Sequence, residues 1–222
     1  MTASNERKRA RMESGLPDTL SAGLYNLVIG GCIFYGFLVN ALVVAFLSPL
    51  IWEMNYLVFL VLYFVLAISG SVIAVRSQSP AISFLGYNMV VLPIGGVLSL
   101  VLPFEAMSSI LSAIVVTGLV VAIMMILSTT FPMLFARLGL TLLISLGVSL
   151  LVETVAFFLG YGGNIFNWIF VVLFSLYIGY DWSRAQLYPK TLDNAVDSAM
   201  DLYLDIINLF LRLLRIFSRS RR

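Results

Sequence analysis

The chain has 222 residues, of which 61% are hydrophobic and 11% charged, and its formal net charge is +2. A mean hydropathy of +1.03 excludes an ordinary soluble domain, whose surface cannot tolerate so many apolar side chains. The sequence therefore predicts an integral membrane protein with a lipid bilayer as its surroundings.

The residue types that are missing or rare narrow the chemistry. The chain contains no histidine and a single cysteine, Cys32. The absence of histidine removes Ser-His catalysis, His-bound zinc and the usual switch near neutral pH, and one cysteine forms no intramolecular disulfide or Cys-based metal motif. We expect no enzyme, no cofactor and no nucleic-acid partner, and any response to protons has to use carboxylates.

A polar segment over residues 1–22 comes first. The apolar run that follows its basic cluster is too long, and begins too far from residue 1, for a cleaved signal peptide. We therefore interpret residues 1–22 as a cytoplasmic tail. Apolar runs of roughly the 20 residues that cross a bilayer follow at 24–48, 56–75, 83–102, 108–128, 137–159 and 165–181, and a mixed segment extends over 194–217. Short loops between them predict antiparallel helices in one compact bundle.

The basic residues predict which side of the membrane each loop faces. Every second loop carries them, at Arg76, Arg137, Arg184 and Lys190. The intervening loops, near Glu53, Glu105 and the sequence GYGGN, contain no Lys or Arg. By the positive-inside rule the N-terminus is cytoplasmic and six spans return the chain to the cytoplasm. The sequence leaves open whether the last segment crosses the membrane or re-enters it.

This last segment carries polar groups inside a run, AMDLYLDIINLFLRLLRIF, that is otherwise as apolar as a membrane span. At helical spacing the polar residues line one narrow face, namely Asn194, Asp197, Asp201, Asp205, Asn208, Arg212 and Arg215. A charge at the centre of a lone membrane helix costs on the order of 3 kcal/mol, so the segment needs neighbours. We infer that it is a central rather than a peripheral helix.

Two interpretations of this polar face stay open. The structural one is an ion-pair ladder in which Asp205 or Asn208 satisfies Arg212. The functional one rests on the cost of intramembrane carboxylates, which makes Asp205 the leading candidate site residue. Asp201 and Asn208, and Glu153 within the fifth apolar run, are then candidates for an ion path.

Asp181 ends the sixth apolar run, and Asp193 lies midway between it and Asp205 in sequence, near turn signals. The two outer acids can therefore face each other across a helical hairpin at similar depth. Two carboxylates close together in a low-dielectric site cannot both ionise easily, so such a pair can share a proton and sense pH without histidine. The alternative is that Arg184 neutralises Asp181 at the interface.

Two features of the earlier helices add to this picture. Arg76, at the end of the second run, is either a positive-inside anchor or a clamp on a carboxylate of the sixth helix. Several glycines are expected to allow close helix packing rather than to bind a ligand, namely Gly30, Gly31, Gly95, Gly96 and Gly147.

The C-terminal motifs resemble a known family. YIGYD, a spacer with Tyr188 and Pro189, and AMDLYLDIINLFLRLLR are similar to the C-terminal signature of the Bax inhibitor-1, or transmembrane Bax inhibitor motif, family. Weaker similarity in LYNLVIGGCIFYGFLVNALV and SPAISFLGYN extends the resemblance over most of the chain. It implies seven transmembrane helices over 23–217 with the C-terminal helix central, and a basic tail over 218–222. The histidine-free chain looks like a bacterial member, which implies a plasma-membrane location.

The resemblance also implies a function. Members of this family are associated with a pH-sensitive calcium leak, and similar bacterial proteins hold two aspartates in a hydrogen-bonded pair that an arginine latches. Asp181 and Asp205 match the pair and Arg76 matches the latch, whereas Asp201 and Glu153 have no counterpart. The resemblance thus implies a leak channel with Ca²⁺ as the transported ion. Protons on Asp181 and Asp205 would gate this channel, and the same two carboxylates would hold Ca²⁺ transiently. Carboxylate, amide and water oxygens suit Ca²⁺.

Other functions stay open. A proton-coupled transporter of a small solute would use the same acids as a relay, although the chain shows no clear repeat. A membrane scaffold that regulates other membrane proteins would use the polar face only to hold its helices together. An aspartyl intramembrane protease would also need two acids, but the contexts of Asp181 and Asp205 lack the Gly-x-Gly-Asp and Pro-Ala-Leu motifs of those enzymes.

Overall fold

The structure, a computed structural model, describes residues 19–161 and 163–219, and every regular element within these ranges is helical. The α-helices are α1 (Ala22–Leu42), α2 (Ser48–Glu53), α3 (Tyr56–Arg76), α4 (Pro80–Val101), α5 (Met107–Thr130), α6 (Pro132–Ala136), α7 (Gly139–Phe158), α8 (Asn164–Leu187) and α9 (Leu192–Arg219). A π-helical stretch, Val43–Leu47, joins α1 to α2, and a 3-10 turn, Leu102–Phe104, follows α4. The expected all-α class is confirmed.

Six helical segments of the described chain are long and apolar enough to cross a membrane. They are Ala22–Glu53, Tyr56–Arg76, Pro80–Phe104, Met107–Thr130, Gly139–Phe158 and Asn164–Leu187. Each overlaps one of the six predicted runs, and the protein is an integral membrane protein. Helix α9 is not among them because it carries more charged residues than the six segments do in their apolar stretches, so a seventh crossing stays a prediction. Most of the predicted tails, over 1–22 and 218–222, lies outside the described residues.

Local sequence signals explain where several helices begin. The side-chain oxygens of Ser21 and Asn55 accept hydrogen bonds from N–H groups in the first turns of α1 and α3. Thr191 does the same for α9, because its hydroxyl oxygen accepts from the Asn194 N–H at 3.2 Å. These caps satisfy N–H groups that have no partner inside the helix. Pro80 opens α4, where its fixed φ suits the first turn.

The described residues form two compact units. The first lies within 19–104 and 187–201 and contains α1 to α4 with the start of α9. The second lies within 105–186 and 202–219 and contains α5 to α8 with the rest of α9. Helix α9 therefore contributes residues to both units, and the boundaries of a single transmembrane domain over 23–217 stay a prediction.

Glycines set the closest helix contact of the first unit. A Cβ atom added to Gly70 on α3 would lie 2.6 Å from the carbonyl oxygen of Gly86 on α4, so only glycine permits this approach. Close packing is confirmed at Gly95 and Gly96, where added Cβ atoms would meet side chains at 2.9 Å and 2.8 Å. The prediction of close packing is wrong for three other glycines, where an added Cβ atom would have no neighbour within 4 Å, namely Gly30, Gly31 and Gly147.

Helix α8 provides much of the framework of the second unit. The Ser183 hydroxyl donates to the carbonyl oxygen of Pro132 at 2.9 Å, and the indole N–H of Trp182 donates to Thr129 Oγ1 at 2.9 Å. Phe170 and Ile178, on the same helix, are fully buried. The end of α8 that carries Asp181 is thus fixed to α5 and α6.

The polar face predicted for α9 is buried over much of its length. The exposed fraction is 0% for Asn194, 5% for Asp197 and 7% for Asp205. Leu202 and Leu209, on other faces of the helix, are fully buried as well, and Arg215 near the end is exposed. The helix therefore has neighbours on its polar and apolar sides, as the cost of its charges requires. Its central position stays a prediction.

Candidate functional site

The two acids that the sequence pairs both lie in the second unit. Asp181 on α8 is 9% exposed and Asp205 on α9 is 7% exposed. Tyr177, one turn before Asp181 on α8, interacts electrostatically with both carboxylates. Such interactions weaken with distance, so the phenol couples the two acids electrostatically. The site thus combines two buried carboxylates with a tyrosine hydroxyl.

Asp181 also has a basic partner on its own helix. Arg184 Nη1 donates to Asp181 Oδ1 at 2.8 Å, and the guanidinium lies 5.1 Å from the centre of the Tyr180 ring. The sequence left open whether Arg184 neutralises Asp181, and the structure contains this ion pair. A carboxylate has two oxygen atoms with several lone pairs, so the contact is compatible with a second role for Asp181.

The arginine proposed as a latch belongs to the other unit. Arg76 is the last residue of α3, in the first unit, and it is exposed. The aspartates lie in the second unit. A role for Arg76 in latching them therefore stays a prediction.

The candidates for an ion path occupy different settings. Asp201 is half-buried and belongs to the first unit. Asn208 is half-buried in the second, where its Nδ2 donates to the carbonyl oxygen of Leu204 at 2.8 Å, a contact within its own helix. Glu153, on α7, is held by Arg212. The path itself stays a prediction.

Arg212 is the centre of a charged group that we call the arginine cluster, formed by Glu153, Asn167, Phe170 and Arg212. Arg212 donates from Nη1 to Glu153 Oε1 at 2.5 Å and from Nη2 to Oε2 at 2.9 Å. It also donates to Asn167 Oδ1 at 3.3 Å, and its Cζ lies 3.8 Å from the centre of the Phe170 ring. The ladder interpretation paired Arg212 with Asp205 or Asn208 on its own helix. The structure instead pairs Arg212 with Glu153 on α7.

A second group of polar residues, which we call the turn cluster, lies at the start of α9. Sequence reasoning named only Asp193 and Asn194 among its members. The turn cluster consists of Tyr25, Ser83, Asp193, Asn194 and Ser198, all in the first unit and at most 3% exposed. The Ser83 hydroxyl donates to Asp193 Oδ1 at 2.6 Å, and Asn194 Nδ2 donates to the Pro189 carbonyl oxygen at 2.7 Å. The Tyr25 hydroxyl donates to the Asn194 carbonyl oxygen at 3.4 Å and lies 3.2 Å from Ser198 Oγ. Tyr25 and Ser83 lie in or beside apolar runs, and no sequence pattern distinguishes them.

In the described part of the chain, no three His, Cys, Asp or Glu side chains come together to hold a metal ion. Asp181 and Asp205 supply carboxylate oxygens of the type that Ca²⁺ prefers. Two carboxylates are fewer ligands than a tight calcium site has, so a transient Ca²⁺ contact at this pair stays a prediction.

Comparison with known proteins identifies the family. No individually curated protein matches the sequence. The model of the family described as inhibitor of apoptosis-promoting Bax1 matches residues 19–222, which covers all seven apolar or mixed segments of the chain. The resemblance noted in the C-terminal motifs is therefore confirmed over nearly the whole length, and the chain belongs to the Bax inhibitor-1 family.

Proposed function

We propose that this protein is a pH-sensitive calcium leak channel, gated by the protonation of Asp181 and Asp205. The observation that carries the proposal is that two carboxylates in one unit of a membrane protein are each at most 9% exposed, and both interact electrostatically with Tyr177. Intramembrane acids are costly and are found mostly where they serve ion or proton movement. Membership of the Bax inhibitor-1 family supports the same function.

The gate would use one shared proton. With the proton present, the two carboxylates can form a hydrogen bond. After its loss, the two negative charges repel each other in a low-dielectric site. That repulsion is relieved if the helices separate, or if a cation approaches. The candidate cations are Arg76, Arg184, which already contacts Asp181, and Ca²⁺ itself.

The proposal also includes a topology. The polar face of α9 would line the passage, which requires α9 to be the seventh crossing and to lie among the other helices. The basic loops favour a cytoplasmic N-terminus by the positive-inside rule. We assign the protein to a bacterial plasma membrane on the basis of its histidine-free, arginine-tailed sequence.

The proposal is tested by calcium flux. The purified protein is reconstituted into liposomes loaded with a calcium dye, and flux is measured at pH values of about 6, 7 and 8, on both sides of neutrality. Protein-free vesicles of the same lipid are the control. We expect a protein-dependent flux whose rate changes with pH.

Two other results would contradict the proposal. A flux that does not vary with pH would remove the gate, and the absence of flux above empty vesicles would remove the channel. The second result would favour a scaffold, for which the ion pair of Glu153 and Arg212 merely holds helices together. A transporter would instead show proton uptake that depends on an added solute.

A further inference from the structure

The arginine cluster joins three helices of the second unit through one side chain. The two parallel N–H···O bonds between Arg212 and Glu153 connect α9 to α7, whereas Asn167 and Phe170 contact the same guanidinium from α8. The planar guanidinium suits this arrangement because its donors match a carboxylate in its plane and its face stacks on an aromatic ring. Without Arg212, α9 would lose its charged contact with both helices.

The pair is only partly enclosed by other residues. The Arg212 side chain is 14% exposed and that of Glu153 is 27% exposed. Separating a fully buried ion pair is strongly unfavourable, because two unpaired charges are left in a low-dielectric medium. Here both side chains reach the surface of the protein, so they can move apart without displacing all of their neighbours. A shift of α9 can therefore break this contact.

The position of Arg212 couples this contact to Asp205. The two residues are seven positions apart on α9, which places them on the same face of the helix, about 10 Å apart along its axis. An α-helix without an interruption between these positions moves as a unit. A shift of α9 that changes the surroundings of Asp205 therefore displaces Arg212 as well.

We infer that the Glu153–Arg212 ion pair is a latch that holds α9 against α7 and α8 in the closed state. The latch opens when α9 shifts, and it re-forms when α9 returns. This inference rests on the proposed function for its role in flux, but the contact and its release can be measured without flux.

The first experiment compares variants in the liposome assay at one fixed pH. Glu153→Gln and Arg212→Gln each break the pair, and we expect both to raise calcium flux several-fold. The charge-swapped double variant Glu153→Arg with Arg212→Glu re-forms the pair and should return flux toward the wild-type rate. Arg212→Lys keeps the charge but loses the two-pronged geometry, so it should be intermediate. Arg137→Gln removes an exposed arginine of the same unit and should change nothing.

The second experiment reports on α9 without any ion flux. Leu209 is fully buried, one turn before Arg212. In a Cys32→Ala background, Leu209→Cys gives a single thiol whose rate of reaction with N-ethylmaleimide measures how often this face opens. We expect slow labelling in the parent, faster labelling with either single substitution, and protection again in the charge-swapped variant. Size-exclusion profiles and thermal unfolding identify variants that do not fold.

The outcomes separate the two proposals. If wild-type protein carries no calcium at any pH but labelling follows the expected order, the channel proposal fails and the latch stands as a conformational device. If labelling in the single variants is as slow as in the parent, the latch is refuted even where flux exists. If the two single variants change flux in opposite directions, the pair acts through its local charge on passing ions, and the latch is again refuted.

Discussion

The turn cluster and the arginine cluster both hold α9, but they use different chemistry. The turn cluster binds the start of the helix through hydrogen bonds of 2.6 Å and 2.7 Å, made by side chains that are at most 3% exposed. The arginine cluster binds the later part through an ion pair whose partners are 14% and 27% exposed. Breaking the bonds of the turn cluster leaves buried donors and acceptors unsatisfied, whereas the contacts of the arginine cluster between helices depend on the single side chain of Arg212. We interpret the start of α9 as its anchored end, about which the rest of the helix can tilt as one rigid unit.

The largest effect is expected for a substitution in the anchor. Asn194→Leu keeps the branching and the number of heavy atoms of the side chain but leaves the Pro189 carbonyl oxygen without its 2.7 Å donor. An unsatisfied buried group costs about 1–3 kcal/mol, so the midpoint of thermal unfolding in detergent should fall clearly below that of the wild type. An unchanged midpoint would show that this end of α9 is not an anchor.

A smaller effect is expected for Ser83→Ala. This change removes the donor at 2.6 Å from Asp193 Oδ1, a carboxylate that is 3% exposed. We expect a loss of about 1–2 kcal/mol in the free energy of unfolding. Ser112→Ala is the matched control, because Ser112 contacts only the backbone of its own helix among the bonds described. Equal losses in the two variants would mean that the Ser83–Asp193 contact contributes nothing specific.

The smallest effect on stability is expected in the arginine cluster. Asn167→Leu repeats the anchor substitution on α8, where the amide accepts a long 3.3 Å bond from Arg212 and donates a 3.2 Å bond to Asn164 Oδ1. Arg212 keeps Glu153 in this variant. We expect less than about 1 kcal/mol, measured by the same thermal unfolding. A loss as large as that of Asn194→Leu would remove the contrast between the two regions.

The sequence predicted those features of the fold that depend on residues close together in the chain. The length of apolar runs, and the Pro, Gly and charged residues that bound them, place each of the six predicted spans over one observed helical segment. The polar spacing of α9 also predicted a helix that needs partners. Those patterns lie within one turn or one helix, so they can be recognised without knowledge of the tertiary structure.

The sequence did not predict which side chains meet across helices. One of the two open interpretations paired Arg212 with residues of its own helix, yet its carboxylate partner is 59 positions away on α7. Tyr25 contacts α9 across 173 positions, and Gly70 was not recognised as the contact point of α3 and α4. In a membrane segment nearly every face is apolar, so the hydrophobic periodicity that orients helices in soluble proteins carries little information.

The central claim is that protons on the aspartate pair control flux, and it is tested most directly by Asp205→Asn. This change keeps the shape of the side chain and removes its titration. Asp193→Asn is the matched control, because it makes the same change on the same helix and keeps an oxygen that can accept from Ser83. We predict that calcium flux through Asp205→Asn in liposomes no longer varies with pH, whereas Asp193→Asn keeps the wild-type profile. A wild-type pH profile in Asp205→Asn would contradict the account.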